Sequence, residues 1–368
     1  MKYLSTFLLA IFLFGCKKVP ETKKINTTSF YVGTYTQKDS KGIYKYSISS
    51  EGKLSKKGLV AETNNPSFLA KTKDNQTLLS VDETDKDRTG FVKSFKIEKD
   101  TLLFVSESKS GGAHPCFVTV NDKNQVLVAN YTGGNVGYLK VDNQNGITNL
   151  LSLQQHTGKG TTERQKVPHA HSVWFHPTKN QIISLDLGTN QLWFSSIDEE
   201  KNELIYSENK TLKLVEGAGP RHLSFHPNNK WIYVLNELNN TVSLIKEKGG
   251  NYFVDFLIST LPKGFKDYSN AADIHISKDG KFLYASNRGH NSIVIYEVNS
   301  EDGTLKIIDH ESVLGKSPRN FSFSKDQKFL LVANQDTDNI ISFKRNTETG
   351  KLTFVDEIEA PMPVFILF

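Results

Sequence analysis

Cysteine is almost missing from this chain: Cys16 and Cys116 are the only two in 368 residues, which excludes the disulfide framework of a small secreted domain. Long apolar runs are missing as well. The best candidate, Phe7 to Phe14, is too short to cross a bilayer as a stable helix. Neither sign of charge dominates, because 45 basic residues stand against 40 acidic ones for a net of +5, and the basic ones are scattered. The cationic stripe that tracks a nucleic-acid backbone is therefore absent, and no nucleic-acid partner is expected. No stretch carries a helical period either; the apolar residues recur at strand spacing.

The first sixteen residues read as an export signal. Lys2 supplies a positive start, Phe7 to Phe14 an apolar centre, and Leu13-Phe14-Gly15-Cys16 a lipobox. Lipid on Cys16 would leave Cys116 as the one thiol of the mature chain, so no intramolecular disulfide could form. Residues 17–29 are polar, lysine-rich and without period, the composition of a flexible tether. The expectation is an exported bacterial lipoprotein facing the periplasm, a monomer held to the membrane by its N-terminal lipid alone, with residues 30–368 as its folded domain.

What the chain does have is a repeat of about fifty residues, the period of propeller blades. One unit is a short apolar strand that ends in turn residues and a Leu or Ile: GIYKYSISSEGKL from Gly42, FVKSFKIEKDTL from Phe91, VGYLKVDNQNGI from Val136, QLWFSSIDEEKNEL from Gln191, VSLIKEKGGNY from Val242, IVIYEVNSEDGTL from Ile293 and ISFKRNTETGKL from Ile341. Before most of these stands a hairpin, as in GPRHLSFHPNNKWIYVLNE from Gly219 and SPRNFSFSKDQKFLLVANQ from Ser317. A further strand follows each. Seven units of four antiparallel strands predict an all-β, seven-bladed propeller. The ends are complementary, since PMPVFILF from Pro361 matches a first strand and FYVGTYT from Phe30 a second, so one blade should close the ring from both termini and hide its sheet edges.

In a propeller the first strand of a blade runs from one face down the channel and the second returns to it. The start of one and the end of the other are neighbours. Register places Ser67, Cys116, His171, Arg221, Ala272, Arg319 and Val364 at the starts, and Tyr35, Glu83, Tyr131, Leu187, Glu237, Arg288 and Gln335 at the ends. His169, His171, Arg221, His222, Glu237, His275, Arg288 and Arg319 are expected to converge at this mouth, beneath the long loops that begin at Gln154 and Thr260. The Asn and Asp residues just before the ring read as turn formers, and His176-Pro177 and His226-Pro227 as structural turns at the opposite face. Several arginines with a glutamate and histidines around one opening call for an anion to offset their repulsion.

The motifs YVGTYT, GGAHPC, VANYTGG, RQKVPHAHS, DLGTN, GPRHLSFHPN, YVLNELNNTV, ADIHIS, SNRGHNSI, PRNFSFS and VANQDTDNI resemble those of the propeller-type 6-phosphogluconolactonases and their relatives, the fungal carboxy-cis,cis-muconate lactonizing enzymes. The resemblance covers essentially all of the chain after the leader. It implies an active site built from a histidine of Pro168-His169-Ala170-His171, Arg221, Glu237 and Arg288. It also implies either lactone hydrolysis or lactone-forming cyclisation, and the export signal sits poorly with a phosphorylated cytosolic substrate.

A lactonase needs a base for water and cations for the oxyanion. Glu237 or His171 would be the base, His171 being the better proton acceptor near neutral pH; Arg221 and Arg288 would hold the oxyanion. Arg319 would take a distal phosphate or carboxylate, and His222, His275, Gln335, Glu83 and Tyr131 would complete the binding surface for a sugar lactone or other anion. No metal and no cofactor are predicted. A binding propeller without turnover, and a cyclase acting on a diacid, are the competing classes.

Overall fold

A computed structural model of the chain describes residues 26–368 together with Lys2 and Tyr3; the rest of the leader, Cys16 included, and most of the proposed tether lie outside the described residues. Seven antiparallel sheets follow one another around an axis. Blade one is Leu69–Lys71, Thr77–Lys86, Thr89–Ile97 and Leu102–Lys109 from the channel outwards, and blades two to six repeat this order from Pro115, Ala170, Pro220, Asn270 and Pro318. Blade seven joins Pro363–Leu367 to Thr27–Thr34, Gly42–Ser49 and Leu54–Glu62, with Val32 opposite Ile366. The ring closes as its complementary ends predict.

Two details differ from the sequence reading. Residues Thr27 to Ser29, assigned to the tether, already pair with Ser49 to Ser47, because a polar strand edge has the same composition as a linker. In blade two the outermost strand is broken into Gly146–Ile147 and Ser152–Gln155, both paired with Asn135–Asp142.

Strand chemistry follows position. Second strands are buried on both faces, as in Trp231–Asn236 and Phe329–Asn334, and read as continuous apolar runs. Outer strands have one wet face, so Asn251–Ser259 alternates exposed and half-buried residues throughout. Seven apolar clusters fill the seven gaps between neighbouring blades. Each fully buried Leu, Ile or Phe there contributes roughly 1.5–3 kcal/mol, which makes the ring a rigid mount. The turn glycines of the repeat serve the same interfaces: Gly303 and Gly350 have φ of +79° and +72°, and a Cβ would strike Trp231 and Phe282 of the preceding blade.

At one mouth the innermost strands share an irregularity. Pro115 pairs with Asn130 and Phe117 with Ala129, so Cys116 is skipped. The same skip isolates His171, Arg221, Arg319 and Val364, and in blade five both Ala272 and Asp273. A bulge re-aims a side chain out of the sheet's alternation, here into the channel. Two residues upstream, the carbonyls of Asn65, His114, His169, Gly219, Ser317 and Met362 accept the N–H groups of Glu83, Tyr131, Leu187, Glu237, Gln335 and Tyr35. That repeated bond clamps each strand start to the neighbouring strand end, which is why register alone predicts the ring.

Candidate active site

The bulged residues and the strand ends form the wall of a narrow pocket on the propeller axis, lined among others by Ser67, Glu83, Cys116, His171, Arg221 and Arg319. The next residues along the strands make its floor. Phe68 packs on Phe117 and Phe365 at centroid distances of 4.2 and 3.9 Å, and His222 and Asn320 complete that layer.

Glu237 is the hub of one side. It is 2% exposed, and its Oε2 receives Arg221 Nη1 at 2.7 Å and lies 3.1 Å from Arg288 Nη2. Its Oε1 receives Arg164 Nη1 at 2.7 Å. Burial by itself would raise the Glu237 carboxyl; Arg288, Arg221, His171 and Arg164 overcome that and hold it well below the usual carboxylate range. Arg221 is pinned by Nε donating to the Ala272 carbonyl at 2.6 Å, and Arg288 by Nη2 donating to Ala271 at 3.2 Å.

Arg164 escaped the sequence reading. It sits on the short 3₁₀ turn Glu163–Gln165 in the long loop after blade two, and its Nη2 also donates to the Tyr131 hydroxyl at 3.0 Å. The signal available was the loop's position over the mouth, but register does not reach into loops.

His171 is buried, and its Nε2 accepts Arg221 Nη1. A guanidinium only donates, so that lone pair is occupied and the ring proton is on Nδ1. Burial, then Arg221, pushes His171 well below the ordinary imidazole value. The acceptor nitrogen of His171, one of the two bases expected, is thus turned to Arg221 in this arrangement. His169 stacks flat on Tyr131 at 4.4 Å and donates Nδ1–H to the Tyr131 carbonyl at 3.0 Å; it stands beside the pocket wall and does not line it.

The other side of the mouth is milder. Arg319 donates Nη2–H to the Tyr35 hydroxyl at 2.7 Å and covers its ring, and Tyr35 donates to Glu83 Oε2 at 2.9 Å. Ser67 donates to the same oxygen. Gln335 is half-buried at the ring, with Oε1 buried and unpaired among the described residues.

His275 does not reach the mouth. It lies three residues past Ala272, beneath Asp273, donating to it at 2.9 Å and packing on Phe321. His222 belongs to the floor rather than the ring. The Asn residues before the ring tie distant segments rather than their own turns, Asn130, Asn287 and Asn334 donating to the carbonyls of Ser110, Thr260 and Val313, whereas His176 and His226 accept locally from the N–H groups of Thr178 and Asn228.

Burial lowers six histidines, His171, His176, His222, His226, His290 and His310, while Asp273 raises His275 against the opposing effect of burial. A histidine with a depressed folded value takes up its proton first in the unfolded chain, so stability falls as pH drops below about 6.5. His222, held at about 4, keeps that slope to about pH 4; with His171 it amounts to roughly 2.7 kcal/mol per pH unit. His275, raised in the fold, contributes stability that is already present below about 6.5 and therefore leaves this slope unchanged. Scanning calorimetry should show the midpoint falling by several degrees between about pH 7 and about pH 5; a flat midpoint would contradict the burial of these rings.

An all-β ring of seven blades defines a seven-bladed β-propeller, with its guanidinium-rich cluster at one mouth of the channel. The family model "Lactonase, 7-bladed beta-propeller" matches residues 29–368, and the chain belongs to that family. It is 37% identical over 299 residues to a 6-phosphogluconolactonase of Bacillus subtilis, covering 80% of this chain and 84% of the relative. To a 6-phosphogluconolactonase of Formosa agariphila it is 34% identical over 305 residues, covering 79% and 85%. The solved structure of a periplasmic gluconolactonase of Pseudomonas aeruginosa superposes with a TM-score of 0.88 at 28% identity, covering 93% of this chain and 98% of that one.

Proposed function

We propose that this protein hydrolyses a sugar-acid lactone of the gluconolactone type, the activity named for its relatives. The observation that carries the reading is charge. Four guanidinium groups, of Arg164, Arg221, Arg288 and Arg319, face two carboxylates, Glu237 and Glu83, and His171 stays neutral. Two positive charges are left for the ligand. A lactone carbonyl gains negative charge only as water adds to it, so donors aimed at the developing oxyanion favour the transition state over the substrate. Arg221 and Arg288, fixed by backbone carbonyls, supply those donors; Arg319 meets the far end of the sugar acid. The N-terminal sequence supports an exported protein anchored through Cys16, outside the described residues.

The test is hydrolysis of glucono-lactone and its 6-phosphorylated form, followed by titration of released acid. Turnover of both above the spontaneous rate is expected, the phosphate lowering KM because it offsets the surplus charge. If neither reacts faster than in buffer, the hydrolase reading fails. Saturable binding of gluconate without turnover would make the chain a binding propeller instead.

A further inference from the structure

The mouth needs a proton acceptor, and neither group expected to serve is free to. Glu237 is saturated by three guanidiniums, and His171 Nε2 accepts from Arg221. One imidazole on the pocket floor is differently placed. His222 is 5% exposed, and its Nδ1 lies 2.9 Å from Asp273 Oδ1. Because a carboxylate accepts, Nδ1 carries the proton and the lone pair is on Nε2. That atom is buried and has no hydrogen-bond partner among the described residues, in a side chain that lines the pocket.

Asp273 is itself over-determined. It is 3% exposed; Oδ1 also receives the Ile274 N–H at 3.0 Å, and Oδ2 receives His275 Nε2 at 2.9 Å and Asn320 Nδ2 at 2.6 Å. An unpaired buried polar atom destabilises a fold, so a fold that fixes one side of an imidazole so firmly and leaves the other bare is holding it for a ligand. The rings of Phe68, Phe117 and Trp174 meet His222 edge-on at 6.1, 5.7 and 6.3 Å, which sets its plane.

We propose that His222, oriented by Asp273, is the catalytic base of the lactonase, with Asp273 as its positioning residue. The inference rests on the hydrolase reading above. A water between His222 Nε2 and the lactone carbonyl loses a proton to Nε2 as its oxygen bonds to the carbonyl carbon. The oxyanion is held by Arg221 and Arg288. On collapse the ring C–O bond breaks and Nε2–H returns that proton to the leaving hydroxyl oxygen; the acid formed then ionises to solvent.

The groups facing His222 are Asp273 and His275 of blade five, Arg221 beside it, and Glu83, His171, Cys116 and Arg319 around the pocket. With His222 held at about 4 by burial, against the pull of Asp273, the acid limb of kcat/KM should fall near pH 4, well below an ordinary histidine limb. His222→Ala is expected to lower kcat about 10²–10⁴-fold with KM little changed, and added imidazole should restore part of it. Asp273→Asn, which presents a donor to Nδ1 and disfavours the productive tautomer, should lower kcat similarly and move the acid limb. A His222→Ala or, should that chain not fold, His222→Gln enzyme with kcat within threefold of wild type overturns the proposal. So does loss that imidazole cannot restore in a variant that still binds gluconate and melts normally. Wild type without activity on any lactone would instead end the hydrolase reading.

Discussion

A Glu237→Gln enzyme should lose hydrolysis at least about 100-fold and roughly 3–5 kcal/mol of stability, the usual consequence of removing one partner from a buried ion pair. The amide keeps the shape of the carboxylate but not its charge, and Glu237 is the anion shared by Arg164, Arg221 and Arg288. Arg164, 43% exposed along its side chain, can swing into water. Arg221 and Arg288 cannot follow, because Ala272 and Ala271 hold them, so their repulsion stays in the fold. An added anion should therefore protect the variant more than the wild type. Melting each protein with and without gluconate checks this; equal melting points and equal kcat would show that Glu237 is not the charge balance of the mouth.

The architecture was legible because a propeller repeats its errors as well as its rules. Five of the seven innermost strands begin with the same one-residue skip in pairing, so aligning hairpins by turn and apolar run also aligned the residues that the bulge turns inward. That is why Cys116, His171, Arg221 and Arg319, from four consecutive or near-consecutive blades, were placed on one wall from sequence. His275 was misplaced for the same reason that the others were right: it is not at the strand start, and three residues of strand carry it past the floor. Asp273 was overlooked since blade five skips two residues, making Ala272 the formal ring member.

Side-chain commitments were not legible at all. Register says that His171 and Arg221 are neighbours, but not that one donates to the other and fills its lone pair. Nor does it say that the remaining histidine, His222, is left with its acceptor bare. Arg164 lies in a loop with Lys159 and Lys166 close by, and no local pattern distinguishes which cation turns in; the 3₁₀ turn, with Gln165 buried and donating to the Leu187 carbonyl, makes that choice in three dimensions. The Thr27 to Ser29 edge was lost to composition, since backbone pairing needs no apolar signal.

Arg288→Ala should keep the fold and lose the chemistry. Glu237 retains Arg221 and Arg164 in that variant, so the melting point should change little, whereas kcat should drop about 10²–10³-fold, as when one oxyanion donor is removed. Lysine at 288 should restore only part of it, because an ammonium cannot reach Glu237, the Ala271 carbonyl and the ligand as a planar fork does. Gluconate affinity, read by calorimetric titration, should fall in the Arg288→Ala protein, since one of the four guanidiniums that face the ligand is gone. If the variant turned over lactone within a few-fold of wild type, the oxyanion would have to be held elsewhere.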